Sequence, residues 1–162
     1  MKKLWLKKKS PIHGNGLYAL EDIAKGKRII EYIGEKINKK EGDRRADRQI
    51  TRAKKNNKNG MVYVFELNSR YDIDGSFAYN HARLINHSCN PNCEVETINN
   101  RLWISSIKNI KKQEELFYNY GYSYDEDYKY HKCKCRSLNC IGYILKKEDW
   151  SRGSLAKRND SV

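Results

Sequence analysis

Short stretches of alternating apolar and polar residues, separated by turns rich in Gly, Asn and Pro, dominate the chain. A period of two is typical of half-buried β-strands, and runs rich in Ile and Tyr strengthen the assignment. We predict strands over 4–8, 17–20, 28–37, 61–67, 70–74, 94–98 and 101–107. The Asn99-Asn100 pair between the last two favours a hairpin with a two-residue turn. The pattern predicts a mainly β fold with a few short helices.

One polar stretch departs from this period. Asn38 is followed three positions later by Glu41, a spacing that resembles a capping box at the start of a helix. The polar run Asp43–Lys55 tolerates helix and ends before Gly60. We therefore predict a helical insert over about 38–60 that covers the sheet.

Length and composition narrow the picture. A chain of 162 residues is most simply one domain with a real core. Twelve Tyr stand against three Phe, so much of the interior consists of rings whose hydroxyl groups need hydrogen-bond partners. This composition favours a polar-lined cleft or channel.

Positive charge is the next feature. The chain carries 33 Lys and Arg against 20 Asp and Glu, a net charge of +13. Such a field attracts polyanions, including nucleic acid and anionic membranes. The basic residues are scattered along the sequence, as on a solvated surface, rather than gathered in one groove. Non-specific nucleic-acid contact through this surface is a secondary expectation, and we expect a monomer with no membrane partner.

The amino terminus and the cysteines indicate the compartment. Lys7–Lys9 follows only three apolar residues, Leu4–Leu6, which is far too short for a signal peptide, and no later stretch approaches a membrane span. Five Cys with a metal-like spacing suit a reducing compartment better than a disulfide framework. We expect the nucleus or the cytoplasm.

Two segments carry candidate binding chemistry. The stretch Arg83–Cys93 places Asn86, His87 and Cys89 directly before the turn-forming Asn90-Pro91-Asn92. It is either a site or a hydrogen-bonded loop with one buried thiol. The segment His13-Gly14-Asn15-Gly16 is either an ordinary glycine turn or a loop whose backbone approaches a ligand closely.

Three closely spaced thiols predict a metal site. Cys133, Cys135 and Cys140 fall within eight residues. A disulfide between the first two would be strained, whereas thiolates around one tetrahedral zinc need this spacing. Such a site needs a fourth ligand, and spacing leaves that ligand open. The candidates are Cys89, Cys93 and His131.

The aromatic peak of the sequence lies between these features. Phe117, Tyr118, Tyr120 and Tyr122 fall within six residues. By periodicity alone they are read first as a core strand. Three acids, Asp125–Asp127, follow in an otherwise basic protein and either line an entrance or form a solvated loop.

Together these pieces resemble the SET-domain protein-lysine methyltransferases that carry a C-terminal post-SET cysteine cluster. The resemblance runs from Ile12 to about Ile144. In order, the matching segments are Ile12–Leu17, Glu31–Glu35, Tyr63–Phe65, Ile73-Asp74, Arg83–Asn92, Glu114–Leu116, Tyr118-Asn119-Tyr120 and the Cys133/Cys135/Cys140 cluster. Their order and spacing together make the resemblance specific.

The resemblance implies a SET fold of small β-sheets around a pseudoknot, plus a zinc-bound post-SET segment. The segments that cross would be Asn86-His87 and Tyr118–Tyr122, an unusual threading. It further implies a SET domain over 1–124, a post-SET segment over 125–148 and a polar, flexible tail over 149–162.

The resemblance also implies two ligands, S-adenosylmethionine as methyl donor and one structural Zn²⁺. The main chain near Lys134 would close over the cofactor. The residues implied to hold the cofactor are His13, Gly14, Asn15, Gly16, Tyr63, Asn86 and His87. The residues implied to hold the zinc are Cys89, Cys133, Cys135 and Cys140. Cys93 is then expected as a buried thiol and His131 as a surface imidazole.

The implied reaction is methyl transfer to a lysine of a protein, such as a histone tail or another basic protein. Tyr120 matches the catalytic tyrosine of the family. Tyr118 would restrict the space around the amine through its hydroxyl, which favours monomethylation. Two rivals remain: a SET fold that binds without transferring methyl groups, and a basic zinc-stabilised nucleic-acid binder.

The sequence departs from the family pattern at three positions. Tyr79 replaces a glycine, Leu84 replaces a phenylalanine, and Gln113 stands where a turn glycine is usual. We therefore expect local packing near the cofactor to differ.

Overall fold

The computed structural model describes residues 2–55 and 61–153, which form small β-sheets with one long helix. The strands are β1 Trp5–Lys9, β2 Asn15–Ala19, β3 Arg28–Tyr32, β4 Glu35–Asn38, β5 Val64–Glu66, β6 Tyr71–Asp74, β7 Asn86–His87, β8 Cys93–Ile98, β9 Arg101–Ser106 and β10 Phe117–Tyr118. The helix α1 spans Lys39–Lys55, and 3-10 turns lie at His81–Leu84, Tyr128–Tyr130 and Lys147–Asp149. The predicted mainly β fold class is confirmed.

The central sheet has the strand order β3-β9-β8. The predicted hairpin is confirmed: β8 and β9 pair antiparallel, and Asn99 and Asn100 form the turn with φ of 51° and 56°. Two consecutive positive φ values match the twist of the flanking strands, and Asn tolerates them better than most residues. The hairpin directs Val95 and Leu102 toward the groove described below.

The prediction of one strand over 28–37 was wrong. The structure divides the run into β3, which pairs with β9, and β4, which pairs with β6 in a second sheet. The break lies at Gly34, where a Cβ would come within 2.1 Å of the Asp74 carbonyl oxygen. A backbone approach this close requires glycine. The strand pattern of residues 28–37 is therefore interrupted at Gly34, and its two halves belong to different sheets.

Helix α1 begins as predicted. The Asn38 side-chain oxygen accepts a hydrogen bond from the Glu41 amide at 2.9 Å. The helix packs on the sheet β4-β6-β5, where Arg45 contacts Glu35 at 2.7 Å and the buried Asp74 at 2.8 Å. Residues 56–60 of the predicted insert lie outside the described residues.

The strands β7 and β10 bring together two segments that are distant in sequence. They pair in parallel, with Asn86 opposite Phe117 and His87 opposite Tyr118. The buried Asn92 side chain fixes the same junction, because its oxygen accepts the Phe117 amide at 2.8 Å. Residues 86–87 therefore lie beside the aromatic stretch.

The C-terminal segment has its own small apolar cluster. Its buried members are Cys89, Tyr128, Ile141, Tyr143 and Leu145. The segment continues into helical residues 150–153, and residues 154–162 of the predicted tail lie outside the described part of the chain. Among the residues that the structure describes, no helix has the length and apolarity needed to cross a membrane.

Candidate active site and metal site

His87 lies at the junction of the two paired segments. Its Nδ1 accepts a hydrogen bond from the Tyr120 amide at 3.2 Å, and its Nε2 lies 3.6 Å from the Cys89 sulfur. Acceptance at Nδ1 places the proton of a neutral ring on Nε2, so the ring donates toward the sulfur. One imidazole thus connects the aromatic stretch to the cysteine cluster.

Asn86 ties the glycine loop to the same junction. Its Nδ2 donates to the Glu115 carboxylate at 2.8 Å and to the Asn15 carbonyl at 3.3 Å. Gly16 is required beside this pair, because a Cβ there would lie 2.2 Å from the Glu115 carboxylate oxygen. The backbone of the glycine loop is therefore positioned by Asn86 of β7 and by Glu115.

A narrow cleft of about 50 Å³ opens between the glycine loop and the C-terminal segment. Its lining consists of Ile12, His13, Met61, Asn86, His87, Tyr120, Lys134 and Ile144. Of the predicted cofactor residues, His13, Asn86 and His87 line this cleft directly. Gly14, Asn15 and Gly16 lie in the adjoining loop. Tyr63 does not line the cleft. Its hydroxyl lies 3.6 Å from the sulfur of Met61, which does.

A larger groove of about 510 Å³ is lined in part by the end of the aromatic stretch. Its lining is Ile50, Val62, Val64, Phe65, Glu66, Val95, Thr97, Leu102, Tyr120, Gly121, Tyr122, Ser123, Asp125 and His131. Tyr120 belongs to both cavities, so its ring stands where the cleft and the groove approach each other. Asp125, from the predicted acidic entrance, is part of the groove lining.

A chain of rings forms the wall beside Tyr120. Tyr118 and Tyr120 lie 4.9 Å apart between centroids, and Tyr122 follows at 5.8 Å from Tyr120. Burial raises the pKa of Tyr118 and Tyr120 well above the usual value of a phenol. The Tyr120 hydroxyl donates to the Ile85 carbonyl at 3.0 Å. The raised pKa keeps this phenol neutral near pH 7, and the hydrogen bond fixes the orientation of its hydroxyl.

The sequence predicted neither the burial nor the contacts of three residues near the site. Tyr32 donates from its hydroxyl to the Tyr63 carbonyl at 2.9 Å, and the Glu115 carboxylate accepts a hydrogen bond from the Asn86 side chain at 2.8 Å. The expectation that His131 lies on the surface was wrong: its side chain is buried, with the ring 4.6 Å from that of Tyr122. No local pattern marks these positions, because their partners are distant in sequence.

The three departures from the family pattern contribute no side chain to the lining of the cleft. The Tyr79 ring is exposed and stacks on Phe77 at 5.4 Å, and Leu84 packs against the main core. Gln113 adopts φ of 73°, the conformation that a turn glycine would supply at lower cost. None of the three lines the cleft.

The four predicted metal ligands come together. The sulfur atoms of Cys89, Cys133, Cys135 and Cys140 all lie within 4.8 Å of one another, and the first two lie 3.8 Å apart. A zinc–sulfur distance of about 2.3 Å in a tetrahedron gives sulfur separations of about 3.8 Å. The cluster therefore fits one tetrahedral zinc ion.

Backbone amides support the cluster. Cys89 and Cys135 donate their amides to the sulfurs of Cys135 and Cys133, each at 3.4 Å. Donors directed at sulfur favour the thiolate form that a metal requires. Cys93 lies outside the cluster: it is the expected buried thiol, and burial raises its pKa to about 12.

Comparison with known families agrees with this geometry. The family model for the SET domain matches residues 14–121, which is more than half of the chain. The chain therefore belongs to the SET-domain family. The cysteine cluster that follows the matched region is consistent with a post-SET segment.

Similar proteins are named as histone methyltransferases. The chain is 38% identical over 116 residues to an H3 lysine-4 specific histone-lysine N-methyltransferase of Aspergillus oryzae, covering 69% of this chain and 9% of that protein. It is 40% identical to histone-lysine N-methyltransferase trr of Drosophila melanogaster, covering 69% and 4%, and 37% identical to the H3 lysine-4 specific enzyme of Saccharomyces cerevisiae, covering 69% and 10%. The chain thus spans a tenth or less of the length of these relatives.

Proposed function

We propose that this chain is an S-adenosylmethionine-dependent protein-lysine N-methyltransferase. The observation that carries the proposal is the position of Tyr120, which lines both the cleft beside the glycine loop and the larger groove. Group transfer requires the donor and the acceptor to meet at one point, and Tyr120 is the residue that the two cavities share. The names of the similar proteins support the same reaction.

The cleft suits an amphiphilic methyl donor. His13, Asn86 and His87 offer polar contacts, and Gly14, with no atom near the position of a Cβ, leaves the loop backbone open to a ligand. When bound, S-adenosylmethionine would supply the electrophilic methyl group. Sites for ligands of this size usually hold about 300–1,000 Å³. Because the cleft, at about 50 Å³, is smaller than such sites, we expect Met61 and the C-terminal segment to move apart when the cofactor binds.

The groove suits the acceptor amine. A lysine with a pKa of about 10.4 costs roughly 4–5 kcal/mol to deprotonate near pH 7. Burial against Tyr120 and Tyr122, which line the groove, disfavours the ammonium form and so lowers that cost. The Tyr120 hydroxyl and the Ile85 carbonyl to which it donates would orient the amine.

The proposed substrate is a histone or another basic protein. Glu66 and Asp125 line the groove and would attract a basic peptide, while the surplus positive charge lies elsewhere on this +13 chain. That surplus favours non-specific contact with nucleic acid. We propose a monomer that acts in a reducing compartment, the nucleus or the cytoplasm.

Incubation with labelled S-adenosylmethionine tests the proposal. The acceptors would be a panel of histones, ribosomal proteins and whole-cell lysate. We expect label on lysine of a basic protein. Cofactor binding without transfer to any acceptor would favour a binding module instead. Tight, salt-dependent nucleic-acid binding without cofactor binding would favour the nucleic-acid binder.

We propose that monomethylation is favoured, because Tyr118 is fully buried beside Tyr120. Its hydroxyl, by holding a water or the amine, leaves less room for a methylated amine. Tyr118→Phe should therefore shift the product toward di- and trimethyl lysine, as measured by mass spectrometry of the modified protein. An unchanged monomethyl product would contradict this pocket-size argument.

Glu115 is proposed as a positioning residue for the cofactor loop. Its carboxylate accepts hydrogen bonds from Asn86 at 2.8 Å, Tyr18 at 2.9 Å and Ser10 at 3.1 Å. Glu115→Gln keeps the shape but loses charge-assisted bonds, each of which contributes about 1.5–3 kcal/mol. We expect the Kd for S-adenosylmethionine to rise about tenfold, with little change in kcat at saturation.

Calorimetric titration measures this change in Kd. Glu21→Gln serves as the control, since it removes a charge of the same sign from a carboxylate that pairs with Lys2. The variant Glu115→Asp should recover part of the affinity, because it retains the carboxylate. Equal cofactor affinity in the wild type and in Glu115→Gln would remove the positioning role.

A further inference from the structure

Two loops, residues 21–28 and 107–114, form one surface of the molecule. Ile23 and Ile110 form an antiparallel bridge, and the Gly26 amide donates to the Ser106 carbonyl at 2.7 Å. The Lys25 amide donates to the Asn109 side chain at 2.9 Å. We call these two loops, with Lys8 beside them through its bond to Gln113, the lysine face.

The lysine face concentrates positive charge. Its basic residues are Lys8, Lys25, Lys27, Arg28, Lys108, Lys111 and Lys112, and its acidic residues are Glu21, Asp22 and Glu114. Seven positive charges less three negative ones leave +4 on 17 residues, whereas the whole chain carries +13 on 162. About a tenth of the chain therefore holds nearly a third of the net charge.

The few acids on this face are occupied by neighbouring groups. Asp22 accepts the Lys111 ammonium at 2.9 Å and the Lys112 amide at 2.8 Å. Glu21 pairs with Lys2 at 2.6 Å. The side chains of Lys25, Lys27 and Lys112 remain exposed to solvent. They are therefore available to an external anion.

The face lies away from the groove. Leu102 of β9 lines the groove, whereas Ser105 pairs with Arg28 and Ser106 bonds to the backbone of Lys27 at the other end of the strand. Four residues of a strand span roughly 13 Å. A ligand on the lysine face therefore leaves the groove open.

The chemistry of the face points to phosphodiester backbone. Lysines on open loops act as point charges for phosphate, and the amides of Asn109 and Gln113 among them are of the type that contacts phosphate and sugar. An anionic membrane would call for apolar residues that insert, and the two loops between 21 and 114 offer mainly charge and amides. Duplex DNA, with its dense and regular charge, is the best match.

We propose that the lysine face binds the backbone of duplex DNA without sequence preference and so docks the enzyme on basic substrates that are themselves bound to DNA. The second half of this proposal rests on the proposed methyltransferase function. The first half is independent of it. A chain with a net charge of +13 repels a free basic substrate. It is attracted to the same substrate on DNA, because the DNA gives that complex an excess of negative charge.

Fluorescence anisotropy with a labelled 30-base-pair duplex, at 25–200 mM salt and without cofactor, tests the first half. The variant K25Q/K27Q/K112Q should bind at least tenfold more weakly than the wild type at low salt. Its slope of log affinity against log salt should be smaller by about 2–3, since each lost phosphate contact removes about 0.9. Melting temperatures establish that both proteins are folded.

A matched control removes three exposed charges elsewhere: K40Q/R48Q/R70Q. It has the same net charge as the test variant, so a difference between the two reports on the location of binding. Equal weakening in both would show that only overall charge matters and would overturn the proposal. Absence of duplex binding by the wild type at 25 mM salt would also overturn it.

Methylation of recombinant nucleosomes and of the same free histones tests the second half. K25Q/K27Q/K112Q should methylate nucleosomes about tenfold more slowly than the control and free histones at the same rate. Equal rates on nucleosomes would overturn docking while leaving DNA binding intact. If wild-type protein methylates neither substrate, the proposed function fails on these substrates, and anisotropy still decides whether the face binds DNA.

Discussion

Tyr120→Phe is expected to lower methyl transfer by at least a hundredfold. The hydroxyl of Tyr120 is held by the Ile85 carbonyl at 3.0 Å, at the point where the cleft and the groove approach each other. Loss of one preorganised hydrogen-bonding group in an active site costs about 10²–10³ in rate. The ring itself remains, so its packing against Tyr118 is retained.

Two measurements separate chemistry from binding in this variant. Single-turnover rates with labelled S-adenosylmethionine should fall, whereas the Kd for the cofactor should change by less than threefold. Tyr122→Phe is the matched control: its hydroxyl accepts the Val62 amide at 3.1 Å, beside the groove. That control should retain most of the rate. Full activity in Tyr120→Phe would refute the assignment of Tyr120.

Removal of zinc is expected to have the largest effect on stability. Structural zinc sites contribute about 10–16 kcal/mol of apparent binding free energy. The four sulfurs connect Cys89, beside β7, to the C-terminal segment whose small core includes Tyr128 and Leu145. A strong chelator, or Cys135→Ala, should therefore unfold this segment and abolish methyl transfer.

Metal analysis should find one zinc per chain in the wild type. Cys135→Ala should lose most of it, and hydrogen exchange should rise over residues 124–153. The control Cys93→Ala removes a buried thiol outside the cluster and should keep the full zinc content. Folded, active protein with a metal content near zero would exclude the four-cysteine site.

Zinc removal should also weaken cofactor binding. His87 lies 3.6 Å from the Cys89 sulfur through Nε2 and lines the cofactor cleft. When the thiolate loses its position, the ring loses one of the contacts that fix its orientation. Under the proposed function, His87 would couple the metal site to the cofactor site.

The sequence by itself determined the features that depend on neighbouring residues. Asn38 and Glu41 begin the helix, and Asn99-Asn100 form the hairpin turn, because each uses hydrogen bonds or φ values within a few positions. The spacing of Cys133, Cys135 and Cys140 likewise predicted a metal site. The resemblance of ordered motifs to the SET domain was sufficient to predict the family, which the match over residues 14–121 confirms.

Only the tertiary structure decided which distant residues meet. It divides the run 28–37 at Gly34, because the backbone of Asp74 approaches too closely for any side chain. It buries His131 against Tyr122 and places Glu115 against Asn86, contacts that no local pattern predicts. It also gathers scattered lysines into one face through the bridge between residues 23 and 110. The local sequence pattern shows which face of a helix or strand is apolar. Which other helix or strand covers that face depends on the packing of the whole chain.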